Sequence, residues 1–278
     1  MNVIRADCAG ACYGVQRALD LTMKLARGDE SVQTYGPLIH NPQVVDQLSM
    51  MGVEVVDRPE KISAQNIVVR SHGVTPAVMR ELEASGAQVE DATCPHVIRA
   101  QRAAEKLAKE YGHVIVVGEQ NHPEVEGLVA YAREAGADVT VVGSALDIPD
   151  DLNCDVGVVV QTTQPRAKLD EVIVALSERG LHAHVKDTIC NATNERQQAA
   201  AELAGKVDAM VVIGGHNSSN TSRLYEICKR IAPDAYHVET PEELQKERFV
   251  DCVTVGVTAG ASTPESQIRE IEALLESW

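Results

Sequence analysis

Three of the seven cysteines occupy the same local setting, at the end of an apolar run and immediately before a helical pattern. They are Cys12, Cys94 and Cys190. Thiolates suit zinc or an iron–sulfur cluster, and no two of these cysteines have the short Cys-x-x-Cys spacing of a zinc ribbon. Three distant cysteines therefore favour a 4Fe–4S cluster with three protein ligands and an open fourth iron. The alternative is three buried structural cysteines, because free cysteine is among the most buried residue types.

The other four cysteines have no symmetric partners. Cys154, Cys228 and Cys252 lie beside apolar runs, and we predict that they are structural. Cys8 precedes Cys12 by four residues, and we expect a structural or incidental thiol there rather than a fourth ligand.

Polar side chains collect in the loops that follow the strand-like runs. Such loops precede helices, whose N-terminal N–H groups and positive dipole end bind phosphate. Thr193, Ser218, Ser219, Asn220, Ser262 and two or three of the histidines could together hold a diphosphate. A single serine or asparagine there more often caps its own helix, and a single histidine is more often a core residue. The candidates are His40, His72, His122, Thr162, Thr163, Thr193, Ser218, Ser219, Asn220 and Ser262.

Glu124 stands two residues after His122, in a loop that we expect to be partly closed from water. Burial raises the pKa of a carboxyl group and suits the group to delivering a proton. Glu124 is therefore the candidate general acid. The alternative is an acidic residue in the first turn that stabilises its own helix, which is the interpretation we keep for Glu126.

The elements that must position these residues repeat three times along the chain. Strand-like runs such as 114–117 and 210–213 alternate with amphipathic stretches such as 101–110, which predicts α/β units with parallel strands. A cysteine turn lies at the start of each unit or within two residues of it, and it is followed by a helix with an arginine near its first turn and by two polar loops. The three arginines are Arg17, Arg99 and Arg196.

We predict three units, spanning residues 12–94, 95–187 and 188–278, that close into a ring with pseudo-threefold symmetry. The third unit lacks a final strand, and residues 1–11 at the N-terminus are expected to complete its sheet. Ligand sites in open α/β sheets lie outside the carboxyl ends of the strands. If the three units turn these ends inward, the three cysteines meet at one point.

The composition restricts the partners and the compartment. A formal net charge of −16 argues against nucleic acid or an anionic membrane as the main partner. No apolar run approaches the roughly 18 residues of a membrane span, and the N-terminus has no signal or transit pattern, so we expect a cytoplasmic protein. The chain also lacks a Gly-rich nucleotide fingerprint. If the predicted cluster takes part in a reduction, its electrons are therefore expected from a separate protein such as ferredoxin or flavodoxin.

A series of short motifs extends over essentially the whole chain. In order they are Gly10-Ala11-Cys12-Tyr13-Gly14-Val15-Gln16-Arg17-Ala18, His40-Asn41, Ser71-His72-Gly73, Asp91-Ala92-Thr93-Cys94-Pro95, His122-Pro123-Glu124-Val125-Glu126-Gly127, Gln161-Thr162-Thr163, Ile189-Cys190-Asn191-Ala192-Thr193, Asn217-Ser218-Ser219-Asn220 and Thr258-Ala259-Gly260-Ala261-Ser262. This series resembles the LytB/IspH family of 4-hydroxy-3-methylbut-2-enyl diphosphate reductases. One departure is Asn121, which stands where the family pattern has glycine.

The resemblance implies a trefoil of three α/β domains with mostly parallel sheets around a central 4Fe–4S cluster held by the three cysteines. It implies the last step of the non-mevalonate isoprenoid pathway, in which an allylic alcohol diphosphate is reductively dehydroxylated to isopentenyl and dimethylallyl diphosphates. Carried over by position, Glu124 would supply a proton, His122 would assist at the substrate and Thr162 would hydrogen-bond near its hydroxyl. The implied diphosphate contacts are His40, His72, Thr193, Ser218, Ser219, Asn220 and Ser262.

Two other functions stay open at this point. Quinolinate synthase also uses three cysteines in three pseudo-repeats around a 4Fe–4S cluster, but the Asn-Ser-Ser-Asn loop and the His-Pro-Glu motif argue against it. A non-catalytic iron–sulfur redox sensor would need neither an aligned proton donor nor phosphate-binding loops.

Overall fold

The computed structural model describes the whole chain, residues 1–278. Its strands are β1 (Asn2–Arg5), β2 (Val32–Tyr35), β3 (Glu54–Val56), β4 (Asn66–Val69), β5 (Gln88–Asp91), β6 (His113–Val117), β7 (Asp138–Val142), β8 (Val156–Val160), β9 (Ala183–Lys186), β10 (Ala209–Ile213), β11 (Ala235–Val238) and β12 (Thr254–Ala259). Its helices are α1 (Tyr13–Ala26), α2 (Pro42–Met50), α3 (Pro76–Ala84), α4 (Pro95–Tyr111), α5 (Pro123–Glu134), α6 (Arg166–Glu178), α7 (Asn191–Ala204), α8 (Ser219–Ile231) and α9 (Glu265–Glu276). None of these helices is both long and apolar enough to cross a membrane.

The strands form three four-stranded sheets in which every neighbouring pair is parallel. Their spatial orders are β3-β2-β4-β5, β7-β6-β8-β9 and β11-β10-β12-β1. Each sheet thus has the same plan, with two inner strands followed in space by an edge strand that leads to a cysteine. The predicted α/β fold class with three repeated parallel sheets is confirmed.

The N-terminal strand belongs to the last sheet. In the register of β1 against β12, Asn2 lies opposite Thr254 and Arg5 opposite Val257. Arg5 also forms ion pairs with Glu265, at 2.9 Å, and with Glu272, both on α9. The prediction that the N-terminus supplies the strand missing from the third repeat is therefore confirmed.

The inner strands are apolar because helices cover both faces of each sheet. In β8 every residue is buried. In the sheet around β6, Val114 and Val116 pack with Leu107 of α4 and Leu128 of α5, whereas Ile115 and Val117 pack in a separate cluster with residues of α6. Alternate side chains of one strand thus enter two different cores, as the period of two in a strand requires.

The chain divides into two compact units. One comprises residues 1–16, 39–47 and 191–278 and contains the sheet β11-β10-β12-β1. The other comprises residues 17–38 and 48–190 and contains the other two sheets. The three domain boundaries given above remain a prediction.

The same hydrogen bond begins the polar loop after β2, β6 and β10. In each case a glycine N–H donates to the carbonyl oxygen of the last residue of the adjacent edge strand. The bonds are Gly36 to Val56 at 2.7 Å, Gly118 to Val142 at 2.9 Å and Gly214 to Val238 at 2.9 Å. These loops therefore leave their sheets from equivalent positions, and His40, His122 and Ser218 each lie four residues beyond the glycine.

Candidate active site

The three predicted ligand cysteines share one backbone arrangement. The N–H of each donates to the carbonyl oxygen of the residue two positions beyond the end of the neighbouring inner strand. The bonds are Cys12 to Ala261 at 3.1 Å, Cys94 to Ser71 at 2.9 Å and Cys190 to Thr162 at 3.0 Å. All three thiols are free of disulfides and half-buried, whereas Cys228 is buried. The structure therefore does not support the alternative that these three residues are buried structural cysteines.

Two of the repeated arginines hold the backbone just before a cysteine. Arg17 of α1 donates to the carbonyl oxygen of Thr93 at 3.2 Å. Arg196 of α7 is 4% exposed and donates to the carbonyl oxygen of Gly10 at 2.8 Å. Because a guanidinium presents its donors in a rigid fork, the contact of Arg17 fixes the turn that carries Cys94, and the contact of Arg196 fixes the turn that carries Cys12.

Glu124 is held by Thr162. The side chain of Glu124 is only 1% exposed. The Thr162 N–H donates to Oε1 at 2.6 Å, and the Thr162 hydroxyl donates to Oε2 at 2.8 Å. Since the carbonyl oxygen of the same threonine accepts the Cys190 N–H, a single residue connects the candidate proton donor to a candidate cluster ligand.

Burial raises the pKa of Glu124 from 4.5 to about 7. Removal from water disfavours the charged carboxylate and is the largest cause. The two hydrogen bonds from Thr162 act in the opposite direction, and the nearby charge of Glu119 raises the pKa further. A carboxyl group with a pKa near neutrality can both hold and release a proton at physiological pH, which is what a general acid needs.

His122 begins the helix that carries Glu124. It is the N-cap of α5, and its Nδ1 accepts the Glu124 N–H at 3.2 Å. In a neutral ring the proton therefore lies on Nε2. The ring of His122 stands edge-on to that of His72, with centroids 5.6 Å apart. The residue before it, Asn121, has a φ of +68°, and asparagine is one of the few residues other than glycine that tolerate this conformation.

The first turn of α8 contains an unsatisfied amide. Ser218 is the N-cap, and its side chain accepts the Thr221 N–H at 3.3 Å. Asn220 is 5% exposed, and neither its Oδ1 nor its Nδ2 has a hydrogen-bond partner. A buried amide without partners costs free energy, which makes this side chain a candidate for binding a polar ligand. Ser219 is the first residue of α8.

His40 and Ser262 are joined directly. The Ser262 hydroxyl donates to the carbonyl oxygen of His40 at 3.0 Å. Asn41 then donates from Nδ2 to the carbonyl oxygen of Ser262 at 3.0 Å. Thr193 is buried in the first turn of α7, and no hydrogen bond joins its side chain to another candidate residue.

Two residues that organise the site belong to the quoted motifs but were not among the predicted site residues. Asn41 is buried, and its side chain accepts the Val44 N–H at 3.2 Å as well as holding Ser262. Gln161 is also buried, and its Nε2 donates to the Thr163 hydroxyl at 3.0 Å. The Asn-Pro pair at a helix start was a usable signal for Asn41. The role of Gln161 depends on tertiary neighbours and had no local signal.

Residues 3–276 match the family model of the LytB protein. The chain therefore belongs to the LytB family, as its motifs indicated. Dependence on an iron–sulfur cluster is a property of that family.

Curated relatives carry a specific enzyme name. The 4-hydroxy-3-methylbut-2-enyl diphosphate reductase of Trichlorobacter lovleyi is 45% identical, with 98% of this chain and 96% of the relative covered. The reductase of the same name from Aquifex aeolicus is 41% identical, with 99% and 96% covered.

Two solved structures share the fold over nearly the whole chain. One is described as (E)-4-hydroxy-3-methyl-but-2-enyl diphosphate reductase, the terminal enzyme of the non-mevalonate pathway, and matches with a TM-score of 0.73 at 40% identity and 100% coverage of both chains. The other is the E-1-hydroxy-2-methyl-but-2-enyl-4-diphosphate reductase of Plasmodium falciparum, with a TM-score of 0.90 at 24% identity, covering 99% of this chain and 87% of that one. The second match shows a common fold.

Proposed function

We propose that this chain reductively dehydroxylates 4-hydroxy-3-methylbut-2-enyl diphosphate to isopentenyl and dimethylallyl diphosphates. The single observation that carries the proposal is the buried Glu124 carboxyl, with a pKa of about 7, bound by Thr162 beside the Cys190 turn. Membership of the LytB family and the names of its relatives support the same reaction. A redox sensor would have no use for such a proton donor.

Cys12, Cys94 and Cys190 would hold a 4Fe–4S cluster with one open iron. Three half-buried thiols free of disulfides, at equivalent backbone positions, are a donor set that fits this group. When bound, the cluster supplies electrons one at a time and a Lewis-acid iron for the substrate hydroxyl. The trefoil arrangement of three domains around this cluster, with boundaries at residues 94/95 and 187/188, is part of the proposal.

The diphosphate would bind to neutral donors rather than to a cationic patch. The unsatisfied amide of Asn220 and the N-terminus of α8 support this assignment. Binding at the remote diphosphate fixes the reacting carbon and hydroxyl, so that binding energy is used for orientation. The proposed diphosphate contacts are His40, His72, Thr193, Ser218, Ser219, Asn220 and Ser262, and Thr163 is a further proposed substrate contact.

Proton delivery is assigned to Glu124. The overall change consumes two electrons and two protons, replaces the C–O bond by a C–H bond and releases water. Glu124 would protonate the leaving oxygen, while Thr162 keeps the carboxyl oriented and His122 hydrogen-bonds at the substrate. The electrons would come from a separate protein such as ferredoxin or flavodoxin in the cytoplasm.

Glu124→Gln tests the proposal. The amide cannot donate a carboxyl proton, so the anaerobic turnover of the allylic diphosphate with a chemical reductant should fall by at least about a hundredfold. Cluster content and substrate binding should be retained. Glu126→Gln is the matched control, because Glu126 is exposed on the same helix, and it should react at the normal rate. Near-normal turnover by Glu124→Gln would refute the proton-donor role.

A further inference from the structure

The loop after β10 leads into the first turn of α8, and together they form the segment 214–220, which contains the proposed diphosphate donors. This segment, called the diphosphate loop below, is held by more than the hydrogen bond of Gly214. His237 of β11 donates from Nε2 to the carbonyl oxygen of Gly214 at 2.9 Å. A carbonyl oxygen can only accept, so Nε2 carries the proton. Gly214 is thus held on both sides, because its N–H donates to the carbonyl oxygen of Val238 and its own carbonyl oxygen accepts from His237.

His216 in the same loop is anchored to the turn after β11. Its N–H donates to a carboxylate oxygen of Glu239. Its Nε2 lies 3.1 Å from Oε2 of Glu243. The other carboxylate oxygen of Glu243 accepts the N–H groups of Glu239 and Thr240, at 3.0 and 3.2 Å. The segment 237–243 therefore holds the loop at Gly214 and His216 through hydrogen bonds.

The other two sheets provide an internal comparison. His237 lies opposite Val212 in β10, one residue before the strand's last residue. The corresponding positions hold Val55 in β3 and Val141 in β7. Valine has no donor, so only the repeat with the Asn-Ser-Ser-Asn loop has a side chain that holds the glycine carbonyl. The repeated fold does not require a histidine here.

The surroundings lower the pKa of His237 and so favour its neutral ring. Burial is the main cause that lowers its pKa, and the nearby His216 lowers it too, while the bond to Gly214 and the charges of Glu239 and Glu243 oppose the change. The ring stands 4.4 Å from that of His216 and also faces Tyr225 of α8. A neutral ring donates a hydrogen bond to Gly214 but adds no positive charge that would itself bind the diphosphate.

We propose that His237 is a positioning residue for the diphosphate loop. This inference rests on the proposed function. Gly214 has a φ of +140°, and a Cβ there would lie 2.6 Å from Oγ1 of Thr263, so the peptide is confined on its other side. Without the imidazole donor, the peptide between Gly214 and Gly215 can rotate. The N–H groups at the start of α8 and the amide of Asn220 would then no longer point together at the diphosphate.

The test compares His237→Val with His237→Gln in the anaerobically purified holoenzyme. The first variant introduces the residue found in the other two sheets, and the second keeps an N–H donor. Calorimetric binding of inorganic diphosphate should weaken by about three- to tenfold in His237→Val, the value of one hydrogen bond, and should be restored in His237→Gln. The KM for substrate should rise in parallel while kcat at saturation stays within about twofold. His184→Val, on the edge strand β9, is the control and should change neither quantity.

The outcomes separate the two proposals. If the wild type does not bind diphosphate, the proposed function is wrong. If the wild type binds and His237→Val binds equally well, or if His237→Gln loses as much affinity as His237→Val, the positioning role is wrong. If His237→Val does not fold, the ¹⁵N shifts of His237 in the wild type decide, because a ring protonated on Nδ1 rather than Nε2 at pH 7 would overturn the inference.

Discussion

Glu124 should make the protein less stable as the pH rises. Because burial raises its pKa from 4.5 to about 7, the folded chain binds this proton more tightly than the unfolded chain. The carboxyl group's contribution to stability is complete below pH 4.5 and is lost as the pH rises to about 7. At 1.36 kcal/mol for each tenfold change in proton affinity, the loss is about 3 kcal/mol.

Glu124→Gln removes this pH dependence because an amide does not ionise. The free energy of unfolding of the variant relative to the wild type should therefore increase by about 2–3 kcal/mol between pH 5 and pH 8. Anaerobic urea unfolding at both pH values measures this difference, and Glu126→Gln is the control that should show no such trend. A difference between variant and wild type that is the same at both pH values would refute the assignment of a raised pKa.

Two further variants test the hydrogen bond and the ligand set. Thr162→Val removes the hydroxyl that favours the ionised carboxylate, so the pKa of Glu124 rises and the alkaline limb of the turnover profile should move up by about one pH unit. Thr162→Ser should leave it unchanged, and a limb that stays in place in Thr162→Val would contradict the coupling. Cys94→Ser should lose the brown absorbance of the cluster. Cys154→Ser, in which an exposed thiol is replaced, should keep it. Full cluster loading of Cys94→Ser would refute the ligand assignment.

The sheets could be predicted from sequence because their signals are local. Runs such as Val156–Val160 are continuous and β-branched, as strands buried on both faces must be. The position of β1 followed from the repeat, since the last unit lacked one strand and the N-terminus offered one. The cysteine positions followed from the same periodicity, although periodicity alone gave no information on their burial.

The details of the site depend on contacts between distant segments. Thr162 was identified as a polar loop residue, but its simultaneous contacts with Glu124 and Cys190 join segments far apart in the chain. Asn121 looked like a departure from the family pattern, and its positive φ shows that asparagine meets the same backbone requirement as glycine. The contact of His237 with Gly214 could not be predicted from the sequence. A histidine in an edge strand is indistinguishable from an ordinary surface residue until the register of the strand is known.

The most direct test of the proposed function is spectroscopic. Protein purified without oxygen should contain a 4Fe–4S cluster, and its spectrum should shift when 4-hydroxy-3-methylbut-2-enyl diphosphate is added, because the substrate hydroxyl would bind at the open iron beside Glu124. The same shift should appear in Glu124→Gln, which binds substrate but does not turn it over. Protein without a 4Fe–4S signal, or with a signal that saturating substrate leaves unchanged, would contradict the proposed function.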